Sequence, residues 1–157
     1  LADIATWTPA QKWDLILANA VLQWTPDHDT LLPRLAGLLN PGGSLAIQMP
    51  DNLGEVTQRA MSDVARTGPW AGKLVTAAAQ RTGLGTPTYY YELLRRVCTR
   101  VDVWKTIYHF NLAGGVGAIV EWFKGTALRP LLAPLSPDEA QEYLRRYEAE
   151  LAKTFRL

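Results

Sequence analysis

The chain has 157 residues, 48% of them hydrophobic, with sixteen basic and fifteen acidic side chains, a formal net charge of +1 and a single cysteine. That is enough apolar material for one globular core, and it excludes an internal disulfide and any apolar run approaching the roughly 18 to 20 residues of a membrane span. The two charge signs are interspersed rather than blocked, which argues against nucleic acid as a partner. The amino terminus LADIATW carries an acid and no basic region, so it does not read as a signal peptide. With no initiating methionine, the expectation is a start inside a longer, cytoplasmic protein.

From Trp13 to Ala18, the short apolar run WDLILA reads as a strand covered on both faces, closed by Asn19. Thr25, Pro26 and Asp27 then offer an N-cap, a first-position proline and a first-turn acid, ahead of leucines at 31, 32, 35, 38 and 39 on one stripe. In LLNPGG, Pro41 and two glycines stop that helix at Asn40, and SLAIQMP follows as a second buried strand. Asn52 with Glu55 forms a capping-box pattern that predicts a helix through about Arg66. Strand, helix, strand, helix is the signature of an α/β doubly wound sheet.

The stretch TGPWAGKLVTAAAQRTGLGTPTYYY has glycines, prolines and no sustained period, and reads as a mobile connection or lid before a helix from about Tyr90 to Cys98. RVDVWKTIYHF, from Arg100, is β-branched and aromatic and predicts a strand. GGVGAIVEWFKG predicts a short helix ended by Gly125. A last helix begins at Ser136 as N-cap, with Pro137 first, Glu139 closing a capping box, and Ala140, Tyr143, Leu144, Tyr147 and Leu151 on one face.

Ligands of open α/β sheets bind beyond the carboxyl ends of the strands, which directs attention to Asn19 through Trp24 and to Met49 through Asn52. Trp24 can stack on a flat ligand or seal the helix against the sheet; Asn19 suits a backbone turn. Neither His28 nor His109 has metal-ligand spacing with Cys98, so no metal site is expected. His28 reads as a first-turn helix residue rather than a base, and Cys98 as a packing residue in an apolar helix. There is no GxSxG motif, no Walker loop and no GxGxxG after a strand. Arg129 stands before Pro130 among apolar neighbours, which predicts extended backbone, and its guanidinium can clamp a carboxylate as readily as it can lie exposed on a loop. Arg145 and Arg146 belong to a charged face, while Tyr89, Tyr90, Tyr91 and Tyr147 can donate to a ligand.

LADIATW, WDLILANAVLQWTPDH and LLNPGGSLAIQMPDN together resemble the second half of class I S-adenosylmethionine-dependent methyltransferases. More narrowly, ANAVLQW, QMPDN, VDVWKTIYH, TALRPLL and YLRRYEAEL are similar to the trans-aconitate 2-methyltransferase family. The likeness covers nearly the whole chain and is weakest between Gly68 and Pro87. It implies a Rossmann-like α/β core over residues 1–110 and a helical cap over 111–157, with S-adenosyl-L-methionine as cofactor. It further implies that Asp3 and Ile4 contact adenine, that Asn19 and Ala20 lie beneath the methionine portion, and that Gln23 and Trp24 border the reacting methyl group, positioning rather than performing chemistry. Gln23, Met49, Arg129 and Tyr147 would face the substrate, a small tricarboxylate.

The family's glycine-rich loop and ribose-binding acid are expected ahead of Leu1, and its last strand after Leu157. Two other readings stand beside this one. A methyltransferase for another small acid or a phenol would need a base near Trp24 if the acceptor were a phenol, and His28 is the residue available. A non-catalytic remnant would use uncovered sheet surface to pair with another protein.

Overall fold

The computed structural model describes residues 2–78 and 83–155. It is a mixed α/β chain: β1 (Trp13–Asn19), a 3-10 turn (Leu22–Trp24), α1 (His28–Gly37), β2 (Leu39–Gln48), α2 (Val56–Thr67), α3 (Ala71–Ala78), α4 (Pro87–Leu94), α5 (Gly115–Lys124), α6 (Arg129–Leu132) and α7 (Pro137–Ala152). Two compact units result, one from Leu1–Asp51 and Thr82–Ile107, the other from Asn52–Arg81 and Tyr108–Leu157.

In the first unit β1 and β2 pair in parallel, with Ile16 opposite Leu45, Ala18 opposite Ile47 and Asn19 opposite Gln48. The expected stop at Asn40 comes earlier. The helix ends at Gly37, Leu38 caps it, and Leu39 already pairs with Trp13. Pro41, Gly42 and Gly43 lie inside β2 as a bulge, because the partners advance from Leu39 to Ser44 while β1 advances only from Trp13 to Leu15. Both glycines are required there. Gly42 has φ +81°, and a Cβ on Gly43 would stand 3.0 Å from the carbonyl oxygens of Asn40 and Trp13.

Only one face of β1 is covered, contrary to the expectation of burial on both. Ile16 and Ala18 are buried, whereas Leu15 and Leu17 on the opposite face are 57% and 69% exposed, since the described sheet has two strands and one packed layer. The covering layer is α1 with α4: Leu31, Leu32 and Leu35 of α1 and Tyr90 and Leu93 of α4 join Ala18 and Leu22 in one apolar cluster. The cap of α1 also differs from expectation. Asp27, in left-handed backbone at φ 58°, accepts from the Thr30 amide, while the Thr25 hydroxyl donates to Leu22 O at 2.7 Å and closes the 3-10 turn. Helix α4 starts and ends earlier than expected, with Thr86 as N-cap and Pro87 first, so Cys98 lies past its end and is half-buried.

The second unit is helical. Trp70, Tyr143, Tyr147, Leu74, Leu128 and Leu151 are fully buried at its centre. Part of the expected connection is therefore ordered helix: Trp70 Nε1 donates to Val64 O at 3.0 Å and α3 follows at once, while residues 79–82 of that stretch lie outside the described residues. Helix α2 begins at Glu55 with no side-chain cap bond, and the Asn52 contribution is its carbonyl, which accepts from the Glu55 amide at 3.0 Å. The capping box on α7 forms as expected, with Ser136 and Glu139 satisfying each other's amides.

RVDVWKTIYHF does not form a strand. It has no ladder partner among the described residues, and Trp104, Ile107 and Tyr108 are each more than 70% exposed. β-branched and aromatic residues favour strands by packing on a pleated surface, and among the described residues no strand pairs with this segment.

Candidate functional site

The carboxyl ends of β1 and β2 lie side by side, and the chain leaves them in a constrained way. Ala20 donates its amide to Gln48 O at 2.9 Å and then adopts left-handed backbone at φ 51°, a conformation that non-glycine residues take at a cost. That bend throws the 3-10 turn back over the strand ends. Gln23, at 7% exposure, folds under it: its Nε2 donates to Ala20 O at 2.8 Å, and its Oε1 is buried with no hydrogen-bond partner among the described residues. A buried acceptor left unpaired costs roughly 1–3 kcal/mol. Asn19 stands exposed at the strand end, Trp24 is half-exposed on the turn, and Met49 packs at the edge of the apolar cluster. These five residues, Asn19, Ala20, Gln23, Trp24 and Met49, share one end of the parallel pair.

Beside them is a shallow hollow of about 210 Å³, bounded by the 3-10 turn, the start of α1, residues 83–85 and the start of α4. Its floor is a hydrogen-bond relay. His28 Nε2 donates to Leu22 O at 2.9 Å, a carbonyl that can only accept, so Nδ1 is the acceptor for the Tyr90 hydroxyl at 2.9 Å. The Tyr90 oxygen in turn accepts from the Gly85 amide at 3.2 Å. Burial pushes the Tyr90 phenol above its ordinary value, and the Gly85 bond opposes that shift. The Tyr89 phenol is also raised, by burial and then by its bond to Asp29. As expected, His28 is a first-turn helix residue, and both ring nitrogens are engaged.

The remaining sequence candidates lie elsewhere. Asp3 and Ile4 are in a turn before β1, where Asp3 Oδ1 accepts from the Ala5 amide at 2.9 Å. The α1 side chain Arg34 donates to the carbonyls of Ile4 and Trp7. Sequence reasoning passed over Arg34, although it follows Leu31 by three positions and precedes Leu38 by four, which puts a cation on an apolar stripe. Tyr147 and Arg129 belong to the second unit. Tyr147 is fully buried with its hydroxyl unpartnered among the described residues. Arg129 is exposed, and it opens α6 in helical rather than extended backbone because the following proline sits in the first turn of a helix, where its missing amide costs nothing. No group of three or more His, Cys, Asp or Glu side chains able to hold a metal occurs among the described residues.

Residues 2–97 match the family described as "Methyltransferase domain". The chain belongs to that family. As a methyltransferase domain it carries Asp3, Ile4, Asn19, Ala20, Gln23, Trp24 and Met49 within the matched stretch, and Arg129 and Tyr147 beyond it. It is 55% identical to a trans-aconitate 2-methyltransferase of Methylobacterium radiotolerans, over 94% of this chain and 57% of the relative. Proteins of the same name from Methylobacterium nodulans and Variovorax paradoxus are 50% and 49% identical, over 98% and 99% of this chain and 59% and 60% of the relatives. The methyltransferase chain thus spans less than two thirds of the length of these relatives. No helix among its described residues is long and apolar enough to cross a membrane.

Proposed function

We propose that the chain is part of an S-adenosylmethionine-dependent O-methyltransferase that forms a methyl ester on a small tricarboxylate such as trans-aconitate, and that it works in the cytoplasm. The observation that carries this reading is 49–55% identity, along almost the whole chain, to relatives bearing that name. On this reading β1 and β2 are strands of a Rossmann-like class I sheet with α1 as a helix packed on it, residues 1–110 are the core and 111–157 a helical cap.

The residues fit the cofactor. The unpaired Gln23 Oε1 is an acceptor for an N–H or O–H donor, and the strand ends with Asn19, Ala20 and Trp24 line the place where open α/β sheets hold ligands. Asp3 and Ile4 would take the adenine. When bound, S-adenosylmethionine supplies an electrophilic methyl carbon. The residues supply position: Gln23 and Trp24 border the methyl group and Gln23 and Met49 face the substrate, while in the second unit the exposed Arg129 is a candidate to bind a carboxylate that does not react.

Acid and base work is unnecessary, because a carboxylate with a pKa near 4 is already ionised at neutral pH. His28, whose two nitrogens bond to Leu22 O and the Tyr90 hydroxyl, is accordingly given no catalytic part. Alignment of oxygen, carbon and sulfur can supply roughly 7–11 kcal/mol.

Isotope-labelled S-adenosylmethionine incubated with the protein and trans-aconitate should give a labelled monomethyl ester. A labelled phenol ether, or no transfer to any small carboxylate, overturns the reading.

A further inference from the structure

The turn that carries Asp3 and Ile4 has little regular structure of its own. Its internal bonds are the Ala5 amide to Asp3 Oδ1 and the Thr6 amide to Asp3 O, at 2.9 and 3.1 Å, and Asp3, Ala5 and Thr6 are exposed. One guanidinium hydrogen-bonds it to α1. Arg34 Nη1 donates to Trp7 O at 2.7 Å and Nη2 donates to Ile4 O, bridging 27 and 30 residues of chain. The Arg34 side chain is half-buried, and Ile4 and Trp7 pack on the same apolar cluster as Leu31 and Leu35 of α1. The Trp7 ring meets that of Trp13 at 6.4 Å, so the far end of the turn also leans on the start of β1.

We infer that Arg34 is a positioning residue for the cofactor: its planar fork holds the carbonyls of Ile4 and Trp7 at a fixed spacing and so presents Asp3 and Ile4 to the nucleoside end of S-adenosylmethionine. The inference rests on the reading, given above, that Asp3 and Ile4 contact adenine. Two carbonyls held by two N–H groups of one rigid plane define an orientation that a single contact cannot. A lysine at this position has a compact ammonium on a flexible stem, which can satisfy one carbonyl well but cannot reproduce the fork. The ordering occurs before ligand arrives, so it lowers the entropy lost on binding rather than adding a contact to the ligand.

The test uses Arg34→Met and Arg34→Lys, with Asp3→Ala in parallel. Amide hydrogen exchange at residues 3–7 reads the hold on the turn, and calorimetric titration with S-adenosylhomocysteine reads its consequence. Arg34→Met removes both carbonyl bonds, so it should speed exchange at the Ala5 and Thr6 amides and raise the Kd roughly tenfold through lost preorganisation. Exchange in α7 and the KM for the carboxylate at saturating donor should stay unchanged, which a general loss of structure would not allow. Arg34→Lys should recover part of the loss. Combining Arg34→Met with Asp3→Ala should cost little more than either alone, because both act through the same turn.

Unchanged exchange at residues 3–7 in Arg34→Met overturns the inference. So does an unchanged Kd in that variant when Asp3→Ala does raise it. If Asp3→Ala leaves the Kd unaltered, or the unsubstituted protein takes up no ligand, the adenine reading is what fails, and the role of Arg34 toward the cofactor falls with it; the exchange rates still show whether Arg34 holds the turn.

Discussion

The Tyr90 hydroxyl donates to His28 Nδ1 at 2.9 Å and joins α4 to α1 across 62 residues of chain. Together with the Nε2 bond to Leu22 O it engages both ring nitrogens of His28 beside the hollow. Tyr90→Phe leaves both His28 Nδ1 and the Gly85 amide without their partner. The expected cost is about 1–3 kcal/mol in urea unfolding. Tyr91→Phe, one residue on and 44% exposed, should stay within about 0.5 kcal/mol. Equal effects would mean that the relay contributes nothing.

The bulge in β2 makes a sharp demand on Gly43. A Cβ there meets three backbone carbonyls, of Asn40, Trp13 and Asp14, at 3.0 to 3.1 Å, and backbone cannot swing aside as a side chain can. Gly43→Ala should destabilise the protein by about 1–3 kcal/mol through strain in the β1–β2 pair. Gly37→Ala, where nothing lies within 4 Å, is the control and should be neutral or mildly stabilising. Thermal unfolding of the two variants side by side decides the matter.

Tyr143 and Tyr147 are both fully buried one turn apart on α7, yet they differ in what their hydroxyls do. Tyr143 donates to Met61 O at 2.8 Å, while the Tyr147 hydroxyl has no partner among the described residues. Tyr143→Phe should therefore cost about 1–3 kcal/mol, and Tyr147→Phe less than about 0.5 kcal/mol or nothing.

On α7, Glu142 accepts twice from Arg145, at 2.6 and 2.8 Å, and once from Arg146 at 2.8 Å, and these bonds hold its carboxyl down at about 2. A carboxyl depressed in the folded state stabilises it in full above the unfolded value of 4.5 and ceases to do so as pH falls through about 2. The difference in Tm between the protein and its Glu142→Gln variant should be small and positive at pH 7, as suits an exposed pair, and vanish by about pH 2. Salt should shrink it at neutral pH. A difference that grows on acidification would contradict the assignment.

Arg129 is exposed and has no ion-pair partner among the described residues, so its guanidinium is available to a carboxylate ligand. On the proposed function, Arg129→Ala should raise the KM for trans-aconitate roughly ten- to hundredfold and leave the Kd for S-adenosylhomocysteine nearly unchanged. Equal effects on both ligands would remove Arg129 from the substrate side.

The parts legible in the sequence are those whose cause is local. An apolar run of strand length gave β1; a leucine stripe gave α1; Ser136, Pro137 and Glu139 announced α7, because a capping box is decided within four residues. The methyltransferase relationship was legible too, through short stretches such as QMPDN that lie within the matched residues 2–97. Other outcomes turned on competition between neighbours. Thr25 was the expected cap of α1, but its hydroxyl bonds Leu22 O in the 3-10 turn and Asp27 caps the helix instead.

The rest belonged to tertiary structure alone, because its causes lie far apart along the chain. Trp70 became core through residues on α2 and α7, Arg34 found carbonyls 27 and 30 residues away, and Tyr90 found a histidine 62 residues away. RVDVWKTIYHF shows the same rule in reverse. Its residues suit a strand, but a strand is a relation between two segments, and propensity in one of them cannot supply the other.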